Sequence, residues 1–437
     1  MKIILRFLVC GPCLLALPFS LRAGELPQAS PADVGISASK LEHADAVVRE
    51  MIEKKEFAGA VLEVARDGKV VDLKAIGMMD VAKSLPMKTD TIFRIYSMTK
   101  PITTVAAMML WEEGRFQLDD PVSKYIPELK ALRVYVGPNE ETVPAKREIT
   151  IRDLMRHTSG FTYGVFGDTP VDRMYKAKRL LDRNVPLQEF VSRLATIPLQ
   201  YQPGTRFHYG VSVDVLGRIV EVVSGRSLDT FFEDRIFKPL DMVDSAFFVP
   251  AAKVDRFATN YGPRLIVIDN PAKSPYLTAP KFFSGGGGLV STARDYTRFC
   301  QTMLNGGELE GTRLLKKETV DLMTHNQLPP EALPMSMPGP GPSVTGLGFG
   351  LGFAVHMSAD PNNPSSVVGE YFWGGAASTG FTICPRNETV TVALTQYMPF
   401  TPTLSEAFVR GVNAAVESKG KDQASKSHRQ ALGVKSR

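Results

Sequence analysis

Histidine is scarce in this 437-residue chain, and its six copies are scattered singly. No two stand at metal-ligand spacing, so no metal site is expected. Cysteine is scarcer still, with four copies, two of them (Cys10 and Cys13) within the first 23 residues. The remaining pair, Cys300 and Cys384, allows one disulfide, which so wide a separation in sequence neither requires nor forbids. No Gly-x-Ser-x-Gly elbow is present, which argues against an ordinary α/β-hydrolase. The glycine-rich stretch Ser284-Gly285-Gly286-Gly287-Gly288-Leu289 lacks the Gly-Lys-Ser ending of a phosphate-cradling loop. Its glycines read instead as permitting close backbone approach near a cleft. There is no internal repeat. A composition of 44% apolar and 22% charged residues argues against a disordered or membrane class. The net charge of +5 is small, and much of the excess sits in residues 418–437, as Lys419, Lys421, Lys426, Arg429, Lys435 and Arg437. That tail reads as solvated and flexible, and the body is not expected to bind nucleic acid.

The first 23 residues have the form of an export signal. Lys2 and Arg6 precede a mostly apolar run over 7–19, broken by Gly11-Pro12 and Pro18, with small residues leading to a cut after Ala23. The run is too short to span a bilayer. Cys10 and Cys13 lack the small preceding residue of a lipoprotein signal. A periplasmic or secreted protein is expected, with no membrane contact beyond the export signal; a retained anchor is the bland alternative.

What the chain does have is one strongly organised stretch, Phe93-Arg94-Ile95-Tyr96-Ser97-Met98-Thr99-Lys100-Pro101, followed by Val105-Ala106-Ala107-Met108-Met109-Leu110-Trp111 and a closing Gly114. This spacing predicts a helix of four to five turns, apolar on most faces and therefore buried. Pro101 is compatible with it only if the helix starts near Ser97, where amides lack intrahelical acceptors. Ser97 then sits at the positive end of a buried helix, with Lys100 on the same face. The Ser-x-x-Lys pattern also occurs at Ser37 to Lys40 and at Ser418 to Lys421. Ser37 reads as the N-cap of an amphipathic helix over 37–55, and Ser418 begins the polar tail. Only at Ser97 would the lysine be desolvated and its basicity lowered to a useful range.

In chain order, the helix over 37–55 is followed by two strands over 60–65 and 70–76, joined by an Asp67-Gly68 hairpin turn. Helical segments are expected from Leu118, over 151–157, 187–195, 213–223 and 228–236. Strands return over 349–357, 380–384 and 390–395, and a helix closes the chain over 405–417. The expected fold is α/β (α+β): an antiparallel sheet flanked by the terminal helices, with a large all-helical insertion. The sheet domain comprises 37–96 and 290–417, and the inserted helical domain 97–289. Gly- and Pro-rich stretches over 135–146, 284–288 and 327–342 read as walls of a binding site.

Two further stretches have ordinary readings on their own. His157-Thr158-Ser159-Gly160 ends a helix, and His157 reads as a packing or capping residue rather than a triad member. Trp373-Gly374-Gly375-Ala376 reads as a bulge carrying an aromatic plug. Tyr209, in Phe207-His208-Tyr209-Gly210-Val211, would serve a serine as base if a lysine lay beside it in a dry cleft.

Together, Ser97-Met98-Thr99-Lys100, Tyr209-Gly210-Val211 and Trp373-Gly374-Gly375 resemble, in order and approximate spacing, the three motifs of the serine β-lactamase and penicillin-binding protein family, in its class C branch. The His157-Thr158-Ser159-Gly160 and Gly285 stretches look like those of its esterase relatives. The resemblance extends over 37–417. It implies that Ser97 attacks an acyl carbon, that Lys100 and Tyr209 together take its proton, and that the oxyanion is held by the amides of Ser97 and Ala376. It implies no cofactor and leaves open which of Lys100 and Tyr209 is the base.

Two departures from the family pattern bear on substrate. Val211 stands where penicillin-directed members carry an asparagine, and Trp373 where they carry a lysine. Losing one charge-assisted contact (about 1.5–3 kcal/mol) and one neutral hydrogen bond (about 0.5–1.5 kcal/mol) disfavours anionic lactams by on the order of a hundredfold. The sequence thus looks closest to a family VIII carboxylesterase acting on small uncharged acyl esters. The alternatives are a β-lactamase, a D-amino-acid peptidase or an acyltransferase of the same family, with Arg94, Arg264 or Lys281 replacing the missing cation. A non-catalytic binding module is expected to have lost Ser97, Lys100 or Tyr209, and all three are present.

Overall fold

The computed structural model describes residues 25–137, 141–336, 345–359 and 365–417. The expected signal peptide and the basic tail, with its Ser418 to Lys421 pattern, lie outside the described residues, as does part of the 327–342 stretch.

An eight-stranded sheet forms the frame. Its strands are β1 (Gly59–Arg66), β2 (Lys69–Asp80), β3 (Leu85–Pro86), β4 (Leu347–Phe349), β5 (Ala354–His356), β6 (Tyr371–Gly375), β7 (Thr379–Cys384) and β8 (Thr389–Thr395). Their order is β4-β5-β6-β7-β8-β1-β2-β3, and neighbours are antiparallel throughout. The Asp67-Gly68 turn works as read, because both residues take positive φ (52° and 74°), as a tight hairpin requires. First and last strands meet in the middle, where β1 pairs with β8 from Ala60↔Thr395 to Arg66↔Thr389.

Every residue of β1 is buried, as expected of a strand covered on both faces. One face, with Ala60, Leu62, Val64 and Ala393, packs on the terminal helices α1 (Ala38–Glu53) and, closing the chain, Thr403–Ala415, through Leu41, Ala44, Val48, Leu404, Phe408 and Val412. The other face packs on the helix Ala293–Leu304, through Tyr296, Phe299 and Cys300. That helix was not expected from the sequence. Cys300 and Cys384 are both buried free thiols, so the disulfide they allowed is not formed.

Beside the sheet lies α2 (Thr99–Glu112), whose residues from Thr99 through Leu110 are all buried. Pro101 occupies its first turn, as required. α2 packs against the helix Ser212–Ser224, which in turn meets the helices Ile151–Met155 and Leu187–Leu194.

Five readings are corrected. The insertion over 97–289 is mainly but not all helical, because it carries two short antiparallel pairs, Arg133–Tyr135 with Thr142–Pro144 and Asn260–Tyr261 with Val267–Asp269. The segment beginning at Leu118 is not a helix: Pro121 and Pro127 restrict it to two 3-10 turns, Val122–Lys124 and Pro127–Leu129. The strand expected over 349–357 is two strands, β4 and β5, folded back at Gly350 and Gly352 (φ 90°). Ser37 stands at the N-cap of α1, but its hydroxyl lies 3.2 Å from the Ser39 hydroxyl and makes no capping bond. Trp373 is in a regular ladder, opposite Phe381, and not in a bulge.

Candidate active site

Ser97 lies in a 3-10 turn, Tyr96–Met98, that runs directly into α2. Tyr96 is held in the left-handed region (φ 40°), an unusual conformation for a residue with a side chain. Four contacts fix this turn. The pair Phe93–Arg94 forms a short ladder with Val290–Ser291, and the Ile95 amide donates to the Leu289 carbonyl at 3.1 Å. The buried Tyr296 hydroxyl, from the helix Ala293–Leu304, donates to the Met98 carbonyl at 2.8 Å. From the sheet itself, Gly375 at the end of β6 backs onto Ile95 so closely that a Cβ there would overlap the Ile95 carbonyl oxygen. That contact sets the turn residue Ala376, just past β6, beside the Ser97 turn.

The glycine run is stitched along α2. The Leu289 amide donates to Thr99 Oγ1 (3.1 Å), Lys100 Nζ donates to the Gly286 carbonyl (2.6 Å), and Thr103 Oγ1 donates to the Gly285 carbonyl (2.7 Å). Such approach is open to glycine, because a Cβ on Gly286 would collide with the Asp214 carboxylate and lie 2.8 Å from the Tyr163 hydroxyl.

Two groups meet the half-buried Ser97 Oγ: the Tyr209 hydroxyl donates to it at 2.6 Å and Lys100 Nζ at 3.2 Å. Lys100 is 1% exposed. Besides Gly286 and Ser97 it donates to the Tyr163 hydroxyl at 3.0 Å. Burial brings its ammonium down from 10.5 to about 7, with the charge of Asp214 pulling the other way. Relative to water, that disfavours the ammonium by on the order of 5 kcal/mol. When neutral, the amine has two N–H donors for Gly286 and Tyr163, which leaves its lone pair toward Ser97 Oγ. The Tyr209 phenol is pushed the opposite way, upward, chiefly by burial, and stays protonated at neutral pH. Its ring lies 4.5 Å from Lys100 Nζ.

Asp214, in the first turn of Ser212–Ser224, is the buried counter-charge. Its Oδ1 accepts from Ser284 Oγ (2.5 Å) and from the Gly286 amide (3.0 Å), and burial raises its carboxyl. Neither Asp214 nor Tyr163 carried a motif in the sequence. The fold alone brings them to Lys100.

His157 is fully buried and touches neither Ser97 nor Lys100 among the described hydrogen bonds. It packs against Tyr209 with ring centroids 4.7 Å apart, and its Nδ1 accepts from the Gly210 amide at 3.4 Å. Burial holds it neutral. Trp373, 6% exposed, also meets Tyr209, at 5.4 Å, and Phe349 at 5.2 Å. Its indole N–H is directed at the Tyr209 oxygen closely enough to ease the phenol's ionisation, but makes no well-formed hydrogen bond. Val211, just before Ser212–Ser224, has no accessible surface.

The expected substitute cations are elsewhere. Arg94 is fully buried and committed to Asp269 (2.7 Å), the Ala258 carbonyl (2.7 Å), Gln396 and Ser274. Arg264 and Lys281 are exposed, and neither is hydrogen-bonded to Ser97, Lys100 or Tyr209 among the described contacts. No group of three metal-binding side chains occurs among the described residues.

A serine between a tyrosine and a depressed lysine, at the head of a buried helix beside an eight-stranded antiparallel sheet, is matched by a family model, described as Beta-lactamase, over residues 44–415. The chain belongs to the beta-lactamase family. Within it, the chain is 36% identical to Protein Rv1367c of Mycobacterium tuberculosis over 385 residues, 85% of this chain and 94% of that one. It is 33% identical over 237 residues to Esterase EstB of Burkholderia gladioli, covering 54% and 57% of the two chains. Among solved structures it resembles EstCE1, described as a hydrolase with promiscuous acyltransferase activity, with a TM-score of 0.72, 27% identity, and coverage of 86% and 99%. As a member of this family the protein is a serine hydrolase.

Proposed function

We propose that this serine hydrolase is a carboxylesterase that forms an acyl-enzyme on Ser97, acting on small esters with no charge beside the scissile carbonyl. The observation that carries the reading is Ser97 Oγ held between the Tyr209 hydroxyl at 2.6 Å and a Lys100 amine brought to about 7. Neutral Lys100 takes the Ser97 proton as Oγ bonds to the acyl carbon. The carbonyl oxygen gains charge facing the amides of Ser97 and Ala376. The departing alkoxide then takes a proton back through the Tyr209 phenol, and water repeats the sequence to free the acid. An alcohol in place of water would make the same site an acyltransferase, the second activity in EstCE1's description.

Trp373 and Val211 support esters over lactams, because both are buried and apolar where a cation and an amide would engage an anionic lactam. The test is mass spectrometry after incubation with a fluorophosphonate, for the wild type and Ser97→Ala, with turnover measured on p-nitrophenyl esters and a chromogenic cephalosporin. A single adduct on Ser97, and ester turnover that vanishes in the variant, are expected. Faster cephalosporin than ester turnover would reverse the substrate assignment, and an unlabelled Ser97 would remove the mechanism.

A further inference from the structure

Tyr163 faces two ways. Its hydroxyl accepts from Lys100, and the residue also belongs to the lining of an open cleft of about 540 Å³, to which residues 275 and 278–280 contribute. That volume is within the range of small-molecule sites. Three cations line it, Lys176, Arg179 and Arg183, against the single carboxylate of Asp182. Two of them are already paired, Arg179 with Asp182 at 2.9 Å and Lys176 with Asp168 at 3.3 Å.

Arg183 differs. Among the described residues it has no carboxylate partner; its guanidinium donates a long hydrogen bond, 3.3 Å, to the Pro275 carbonyl, and it lies close enough to the Tyr276 hydroxyl to ease that phenol's ionisation. The group is nevertheless fixed. Its central carbon lies over the Tyr276 ring, 4.4 Å from the centroid, and the main-chain carbonyl of Arg183 accepts from the amides of Lys281 (2.9 Å) and Phe282 (3.0 Å), on the segment leading into the glycine run. Tyr276 in turn meets the ring of Tyr96, the residue before Ser97, edge-on at 6.4 Å. The charge therefore lies two ring contacts from the residue beside the nucleophile. A guanidinium has five N–H donors, more than these contacts use, so donors remain for an oxyanion, and Asn184 and Thr278 add neutral polar groups to the lining.

We propose that this cleft binds a carboxylate or similar oxyanion carried by the ester at its end remote from the scissile carbonyl, with Arg183 as the fixed cation. The proposal rests on the Ser97 ester-hydrolase reading and adds the substrate class: an ester neutral at the reacting carbonyl and anionic at the far end. It also moves anion recognition from the position of Trp373 to a residue with no sequence motif.

The test compares wild type, Arg183→Gln and Arg183→Lys on three substrates: p-nitrophenyl acetate, mono-p-nitrophenyl glutarate with its carboxylate on the acyl side, and 4-acetoxybenzoate with its carboxylate on the alcohol side. The expected result is that one anionic ester, by its identity showing which side enters the cleft, loses about tenfold in kcat/KM relative to p-nitrophenyl acetate in Arg183→Gln. The loss should lie in KM, be partly recovered in Arg183→Lys, and shrink with added salt. Equal effects of Arg183→Gln on all three esters would overturn the proposal and leave the esterase reading intact. No turnover of any of them by the wild type would overturn both.

Discussion

Lys100 reaches across from α2 to the carbonyl oxygen of Gly286, and at 2.6 Å this is the shortest of the bonds its amine makes among the described contacts. The amine of the proposed base is thus anchored to a backbone atom whose position depends on glycine. With its ammonium at about 7, Lys100 is protonated below neutrality and cannot accept a proton from Ser97. The kcat/KM for p-nitrophenyl acetate should rise with pH through an apparent pKa near 7 and then level off. In Asp214→Asn the rise should move to lower pH, because the Asp214 charge is what raises the Lys100 pKa against burial. A rise centred near 5 in the wild type would point to a carboxylate in place of Lys100.

Gly286→Ala places a methyl group against the Asp214 carboxylate and 2.8 Å from the Tyr163 hydroxyl. Relief requires the Asp214 carboxylate and the Tyr163 hydroxyl, two of the groups around Lys100, to shift. An overpacking penalty of about 1–3 kcal/mol, felt at the lysine, corresponds to roughly a five- to hundredfold loss in kcat/KM. Steady-state kinetics on p-nitrophenyl acetate would check this, with circular dichroism to confirm the fold.

Gly375→Ala wedges β6 away from Ile95, and with it Ala376 from the Ser97 turn. The expected outcome is a stability loss of about 1–3 kcal/mol by urea denaturation together with a fall in kcat. A variant of unchanged kcat would mean that Ala376 has no part in holding the oxyanion.

Glu63 points from the middle of β1 toward the helix Ala293–Leu304, and burial raises its carboxyl from 4.5 to about 8. Between those values the unfolded chain has released this proton and the folded chain keeps it. This group's contribution to stability is therefore whole below pH 4.5 and lost as pH rises to 8. Glu63→Gln removes that dependence. Its melting temperature relative to wild type should increase from pH 5 to pH 8.5, and a difference that is constant with pH would refute the buried neutral acid.

Trp373→Lys restores the residue of penicillin-directed relatives, but at a site walled by Tyr209 and Phe349. Ester turnover should fall by about tenfold or more, because the ring that backs Tyr209 is lost and a charge is buried in its place. Cephalosporin turnover should not rise, since the residue at 211 still cannot bond an amide.

The parts readable from sequence are those where local pattern and burial agree. α2 was legible because it is apolar on nearly every face, and β1–β2 because Asp67-Gly68 specifies a tight turn. The helix Ala293–Leu304 was not, because its buried residues include Thr297, Arg298, Gln301 and Thr302, which blur the apolar spacing. The polarity of Thr302 and Arg298 is met by bonds from Thr302 Oγ1 to the Arg298 carbonyl and from Arg298 to Glu310. At the candidate site, Ser97, Lys100 and Tyr209 stand in recognisable motifs and meet in space. Tyr163 and Asp214 lie in stretches of no special composition, and nothing local says that they converge on Lys100. Arg94 illustrates the converse: it lies in the central stretch, yet its charge is spent on Asp269.

The pairing of β1 with β8 has a consequence for synthesis. The strand at residues 59–66 waits for its partner at 389–395, and the Ser97 turn waits for Gly375 and Tyr296. During translation, more than three-quarters of the polypeptide emerges before the sheet can close. A nascent chain, or one cut short before β8, therefore carries its serine with no frame to hold it. A chain cut short before residue 389 is therefore expected to show no ester turnover.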